Sequence, residues 1–208
     1  MFFDALGTLV ELEPPWIALR GRVPAEVSDE RLEGALRAEM AYYRDHAHEG
    51  RDKASLADLR ERCAALVSEQ LGVEVDANRL VESIRFEAYP DAGPALRELR
   101  QLGETLVVVS NWDCSLDDVL ERVGIGELLD AVVTSAAAGA RKPDPAIFEP
   151  ALELAGVGRD EALHVGDTRA EDVEGARAAG IRALLIERDG NGGDISSLRE
   201  IREHLSDV

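Results

Sequence analysis

The stretch Ala162-Leu163-His164-Val165-Gly166-Asp167-Thr168-Arg169-Ala170-Glu171-Asp172 decides how the rest of the chain is read. Residues 162–165 form an apolar run of strand length, Gly166 follows, and Asp167 stands just past the strand. Thr168 with Glu171 three positions on has the spacing of a capping box, which predicts a helix over 168–179. Working outward, the same alternation recurs. Strands are expected over 106–109, 131–134 and 183–186. Helices are expected over 94–102, 115–129 (with Ser115 and Asp118 as a box), 145–155 and about 197–205. Strands alternating with helices predict an α/β fold built on a parallel sheet. In such sheets the site lies beyond the carboxyl ends of the strands, at a switch in strand order.

Three more segments place reactive residues at, or just beyond, such ends. Phe3-Asp4-Ala5-Leu6-Gly7-Thr8 offers a carboxylate able to attack phosphorus or carbon, then a glycine for close backbone approach and the Thr8 hydroxyl. Val109-Ser110-Asn111 offers a hydroxyl and an amide to hold a phosphoryl oxygen. Arg141-Lys142-Pro143-Asp144 carries one of only two lysines, a compact ammonium suited to neutralising a phosphate and a carboxylate together. Asp167 and Asp172 are hard oxygen donors of the kind Mg²⁺ takes. Asp172, inside a helix's first turn, also suits the helix dipole and is expected to act behind Asp167. Each segment has a plainer use as a turn or cap; their order and common placement argue for one shared site. Trp112 and Cys114 are read as packing residues.

The chain has 208 residues, 45% of them hydrophobic and 31% charged, enough for one large domain or a core with a smaller insert. Formal charge is 23 minus 42, or −19. Nucleic acid and anionic membranes would be repelled, so neither is expected as a partner. A small anionic substrate would need local cations. Cys63 and Cys114 form neither a disulfide framework nor a C-x-x-C pair, no apolar run reaches membrane-span length and no signal peptide opens the chain, so a cytoplasmic protein is expected, as monomer or homodimer. Only Met1, Phe2 and Phe3 precede Asp4, whereas a strand ordinarily runs about 5–6 residues. Either the first strand is short or the natural start lies a few codons upstream.

Residues 13–87 have a different character. They lack β-branched runs and read as helices. Ser28 is expected to cap a helix carrying Leu32, Leu36, Met40 and Tyr43. Ser55 to Asp58 reads as a capping box before Leu56, Leu59, Cys63, Leu66 and Leu71, with Gly72 as the stop. Pro14-Pro15 and Tyr89-Pro90 flank the region like hinges.

In this order the four segments resemble the four motifs of the haloacid dehalogenase (HAD) superfamily of hydrolases, over nearly the whole chain, and residues 13–87 resemble that family's C1-type cap. The resemblance implies a Rossmann-like core from residues 1–12 and 88–208, a parallel sheet with helices on both faces. A small all-helical cap, residues 13–87, is inserted after the first strand and closes over the site. It implies a Mg²⁺-dependent hydrolase acting on a small phosphorylated (or halogenated) molecule. Asp4 would be the nucleophile, forming an aspartyl-phosphate. Asp4, the Leu6 backbone carbonyl and Asp167 would hold the metal. Ser110 and Lys142 would bind the transferring group, with Thr8 and Asn111 contacting substrate, and Asp172 would orient metal waters or Lys142.

Leu6 departs from the family's phosphatase pattern, where an aspartate usually serves as acid and base. Leucine can do neither, and such help is worth roughly 10²–10⁴-fold. One reading is a phosphatase favouring leaving groups that need no proton, or recruiting Arg44, His46 or His48 from the cap. Others are a 2-haloacid dehalogenase-like enzyme, a phosphonatase-like enzyme using Lys53, and a weakly active or non-catalytic binding protein on the same scaffold.

Overall fold

The expected alternation builds one open sheet in the computed structural model, which describes residues 1–190 and 192–207. The strands are β1 (Phe2–Phe3), β2 (Val10–Leu12), β3 (Phe86–Ala88), β4 (Val107–Ser110), β5 (Ala131–Thr134), β6 (Leu163–Gly166) and β7 (Arg182–Leu185). Five of them lie in the order β5-β4-β1-β6-β7, every neighbouring pair parallel. The first strand is two residues long, yet it holds the centre. Phe2 faces Val107 and His164, and Phe3 faces Val108 and Val165. Because side chains alternate along a strand, Phe3 enters the apolar cluster on one face and Phe2 the cluster on the other, both fully buried. Burying one such side chain is worth about 1.5–3 kcal/mol, which fixes the register of a strand too short to fix itself.

Helices cover both faces. With α1 (Pro15–Arg20), α2 (Asp29–His46), α3 (Lys53–Leu71) and α4 (Ala77–Ser83) in the insert, those of the core are α5 (Ala92–Gln101), α6 (Leu116–Arg122), α7 (Ser135–Ala138), α8 (Glu149–Ala155) and α9 (Glu174–Ala178). Leu96, Leu99, Leu116 and Leu120 pack with Phe3 and Val108; Phe148, Leu152, Val173 and Ala176 pack with Phe2 and Val107. The fold is thus α/β and Rossmann-like. The first four helices bury Leu32, Leu36, Leu59, Val67, Leu71 and Leu80 in a separate cluster of their own.

Several local expectations change. The chain leaves for the insert along β2 and returns along β3, an antiparallel ribbon pairing Val10 with Ala88 and Leu12 with Phe86; at three residues each, these strands carry too little pattern to be read. Helix α3 begins at Lys53, earlier than the box read at Ser55 and Asp58. The box that forms is Asp52–Ser55, in which the Asp52 carboxylate accepts from the Ser55 amide at 2.9 Å and the Ser55 hydroxyl accepts from the Asp52 amide at 3.0 Å. Ser28 caps α2 as expected, accepting from the Arg31 amide, and Gly72 ends α3 at φ 64°. The helix read over 115–129 stops at Arg122, before Gly124 at φ 78°, and Ser115 makes no side-chain cap; Asp113 instead accepts from the Ser115 amide at 2.6 Å.

Candidate active site

The strand order puts the carboxyl ends of β4, β1 and β6 side by side, so the residues that follow them must meet. Asp4 comes after β1, Ser110 closes β4, and Asp167 comes after β6. Carboxylate oxygens of Asp4, Asp167 and Asp172 all lie within 4.8 Å of one another. Lys142 reaches in from the loop after α7, 1% exposed, and donates to Asp4 Oδ1 at 2.5 Å and to Asp172 Oδ1 at 2.6 Å. Ser110 is buried at the same edge.

Two glycines make this approach possible. A Cβ on Gly7, whose φ is 79°, would lie 2.1 Å from Asp167 Oδ2, and a Cβ on Gly166 would lie 2.1 Å from Asp172 Cγ. Both carboxylates rest on bare backbone. The turn after β6 is also unlike the expected capping box. Thr168 makes no side-chain cap and instead donates its hydroxyl to Asp167. Residues Arg169–Val173 form a π-turn, and Asp172 Oδ2 accepts from the Thr168 amide at 2.9 Å. Such turns are frequent at functional sites.

Other polar groups hold the first layer in place. The Asn111 side chain donates to the Lys142 carbonyl and to Glu171 and accepts from the Lys142 amide at 2.8 Å, so it clamps the lysine's loop. Buried His164 places Nε2 3.0 Å from Asp172 Oδ1. The Thr8 hydroxyl is buried with no partner among the described residues, while the Thr8 carbonyl accepts from Arg188, whose guanidinium also pairs with Asp91 and lies over the Tyr89 ring. His164 and Arg188 were not singled out in the sequence. The one signal for His164 was a polar residue inside an apolar strand; Arg188 gave none.

Burial pushes Asp4 above the ordinary carboxylate range, against the pull of Lys142 and with a push from Asp172. Asp167 is raised to about 6, first by desolvation and then by repulsion from Asp4 and Asp172. Burial also works against ionised Asp172, but Lys142 and His164 outweigh it and hold that carboxyl well below its usual value. Desolvation opposes the charged Lys142, yet Asp4 and Asp172 carry it above the normal lysine value. Burial lowers His164. Three carboxylates and one ammonium leave a formal excess of two negative charges. This set of hard oxygens, two of them pushed toward protonation, fits a divalent cation of the Mg²⁺ type.

The insert reaches the same edge. Tyr43 on α2 donates to buried Asp113 at 2.6 Å, and the Cys114 amide donates to the Gly50 carbonyl at 2.8 Å. Both contacts fall on the loop that begins at Ser110. Leu6 leans on the apolar cluster beneath the sheet edge and brings no proton donor. His46 Nδ1 lies 2.7 Å from the Tyr42 carbonyl and its ring stacks on Tyr42, whereas His48 keeps a buried Nδ1 without a partner among the described residues. Lys53, at the start of α3, is exposed and so is not desolvated.

A family model described as haloacid dehalogenase-like hydrolase matches residues 1–180. A "Haloacid dehalogenase-like hydrolase domain-containing protein 3" from Bos taurus is 48% identical over 101 residues, 49% of this chain and 40% of the relative. A "Phosphoserine phosphatase" from Thermus thermophilus is 38% identical over 108 residues, 51% of this chain and 43% of the relative. Each match therefore spans less than half of the curated relative's length. Among solved structures, a HAD phosphatase from Thermococcus onnurineus superposes with a TM-score of 0.70 at 26% identity, covering 98% of this chain and 96% of that one.

Proposed function

Because this chain belongs to the haloacid dehalogenase-like hydrolases, we propose that it is a Mg²⁺-dependent phosphatase of small molecules working through an aspartyl-phosphate at Asp4. The observation that carries this reading is Lys142, shared between Asp4 at 2.5 Å and Asp172 at 2.6 Å beside a third carboxylate. A binding protein would have no use for a buried nucleophilic carboxylate held under such tension, since clustered carboxylates repel. Similarity to a phosphoserine phosphatase and to a glyceraldehyde 3-phosphate phosphatase supports phosphoryl chemistry, whereas similar solved structures include a HAD phosphatase and an L-2-haloacid dehalogenase at the same 26% identity.

An oxygen of the Asp4 carboxylate attacks phosphorus, the bond to the leaving oxygen breaks, and the leaving group departs with that electron pair. Lys142 and Ser110 hold the transferring oxygens and Lys142 offsets their charge. Water then attacks the phosphorus of the aspartyl-phosphate, releasing phosphate and restoring Asp4. Mg²⁺ held by Asp4, the Leu6 carbonyl and Asp167 would supply further positive charge against the phosphoryl oxygens. Asp172 keeps Lys142 seated. In this reading residues 13–87 form the cap over a core of 1–12 and 88–208, and the enzyme works in the cytosol.

Since Leu6 brings no proton, leaving groups that are weakly basic are favoured. With Mg²⁺, p-nitrophenyl phosphate and acetyl phosphate should release phosphate, and EDTA should abolish it. An alkyl sugar phosphate should lag by about 10²–10⁴-fold. Asp4→Asn should reduce all three to background. Equal turnover of the three substrates would show another residue acting as the acid, and halide release from chloroacetate in EDTA would overturn the phosphatase reading. In turn, Leu6→Asp should raise sugar-phosphate turnover selectively, measured as kcat.

A further inference from the structure

We propose that His164 is a positioning residue, its Nε2–H fixing the orientation of Asp172 and, through it, the seat of Lys142 against Asp4. The claim rests on the phosphatase reading for its consequence in turnover, but its geometry stands on the side chains alone.

His164 lies inside β6, opposite Phe2 of the central strand, with no exposed surface. A leucine there would bury as much area without the cost of desolvating a ring nitrogen. Among the described residues the ring has one polar contact, Nε2 to Asp172 Oδ1 at 3.0 Å, and its other nitrogen, Nδ1, is buried without a partner; its edge meets Phe148 at 5.1 Å between ring centres. Oδ1 of an ionised carboxylate only accepts, so the hydrogen must sit on Nε2. A second hydrogen on Nδ1 would be a buried donor facing no acceptor, which disfavours the charged ring, and a neutral imidazole donates to Asp172.

Asp172 then receives three donors. The Thr168 amide holds Oδ2 at 2.9 Å, while Lys142 at 2.6 Å and His164 at 3.0 Å divide Oδ1. Its carboxyl also lies on the bare backbone of Gly166. Thr168 and His164 therefore pin opposite oxygens of one carboxylate, which stops it turning, and the imidazole takes up part of the lone-pair density that Oδ1 would otherwise give to Lys142. Remove that N–H and Oδ1 answers to Lys142 alone. The ammonium is then drawn toward Asp172 and away from Asp4, the group that must hold the transferring oxygens.

Reach separates this role from packing. A glutamine places its amide nitrogen as many bonds from Cα as Nε2 of histidine; asparagine falls one bond short. With p-nitrophenyl phosphate and Mg²⁺, His164→Gln should keep kcat within about threefold of wild type, whereas His164→Asn and His164→Leu should lose about 10–100-fold in kcat with KM little changed, the range typical of residues that orient a first layer. Equal losses in Gln and Asn, or wild-type kcat in Asn and Leu, overturn the proposal. If the leucine variant does not fold, the Gln and Asn pair still decides. A second readout is independent of turnover. The chain has only two lysines, so protein made with ¹³C,¹⁵N-lysine gives two side-chain Cε signals, one from exposed Lys53. The Lys142 signal should match wild type in Gln and shift in Asn and Leu. If wild type hydrolyses no phosphate ester, the phosphatase reading falls, but a Lys142 signal unmoved in Asn and Leu would independently overturn the role given to His164.

Discussion

Lys142 shows how far a single residue governs this site. It is enclosed by carboxylates on two sides and by the loop that Asn111 clamps. Removing one member of a buried ion pair typically costs about 3–5 kcal/mol, because the remaining charge stays buried and unpaired. Lys142→Met should therefore destabilise the chain by that amount in urea unfolding, as well as end turnover. Gly166→Ala should act differently, since its new Cβ overlaps the Asp172 carboxyl at 2.1 Å. Strain of about 1–3 kcal/mol is expected, together with displacement of the carboxylate that seats Lys142; urea unfolding and kcat would both register it. The four segments bearing Asp4, Ser110, Lys142 and Asp167 could be read because each follows an apolar run by one or two steps. His164 and Arg188 could not, since their meaning lies in partners that the chain brings near only after folding: Asp172 for the first, and Asp91, Thr8 and the Tyr89 ring for the second.

Among the elements, the start of α3 offers a clean contrast. Asp52→Ala should destabilise the chain by removing the cap, and by more than Asp58→Ala, which removes only an exposed i,i+4 pair with Arg62. Thermal unfolding of the two variants checks this. Asp52 and Asp58 stand equally far from Ser55 on either side, and sequence alone does not say which the hydroxyl meets; in the fold it is Asp52. Asp91 ties three elements together. It accepts from Arg188 at 2.7 Å, from the Ser197 hydroxyl at 2.7 Å and from the Leu198 amide at 2.9 Å. Burial alone would raise its carboxyl, but these donors outweigh it and hold the value below normal. A lowered folded value means stability that is fully present above the unfolded value of about 3.9 and lost as pH falls through the lower folded one. The Asp91→Asn penalty in urea unfolding should accordingly be full at pH 7 and shrink as pH drops below about 4.

For the molecule as a whole, a parallel sheet followed from the alternation of strands and helices, whereas its strand order and the attachment of the insert did not. That attachment includes the β2–β3 ribbon, the polar contacts of Tyr43 and Gly50 with the loop after β4, and the Asp45–Arg141 ion pair. Burial first, and then Asp113, raise the Tyr43 phenol well above its usual value, so it stays a donor throughout the working range. Tyr43→Phe strips a hydrogen bond to a charged group, worth about 1.5–3 kcal/mol. Amide exchange at Cys114, whose N–H bonds to Gly50, should accelerate by about tenfold for each 1.4 kcal/mol lost. The ribbon has a different implication. Leu12 and Phe86, the points of departure and return, are paired neighbours. The two ends of the excursion thus sit a strand spacing apart, about 4.8 Å. A short hairpin turn could join them and excise the helices without shifting one residue of the parallel sheet, and a longer or unrelated excursion could be spliced in at the same place. Such a junction lets evolution exchange the inserted helices while the parallel sheet and the residues at its edge are inherited intact.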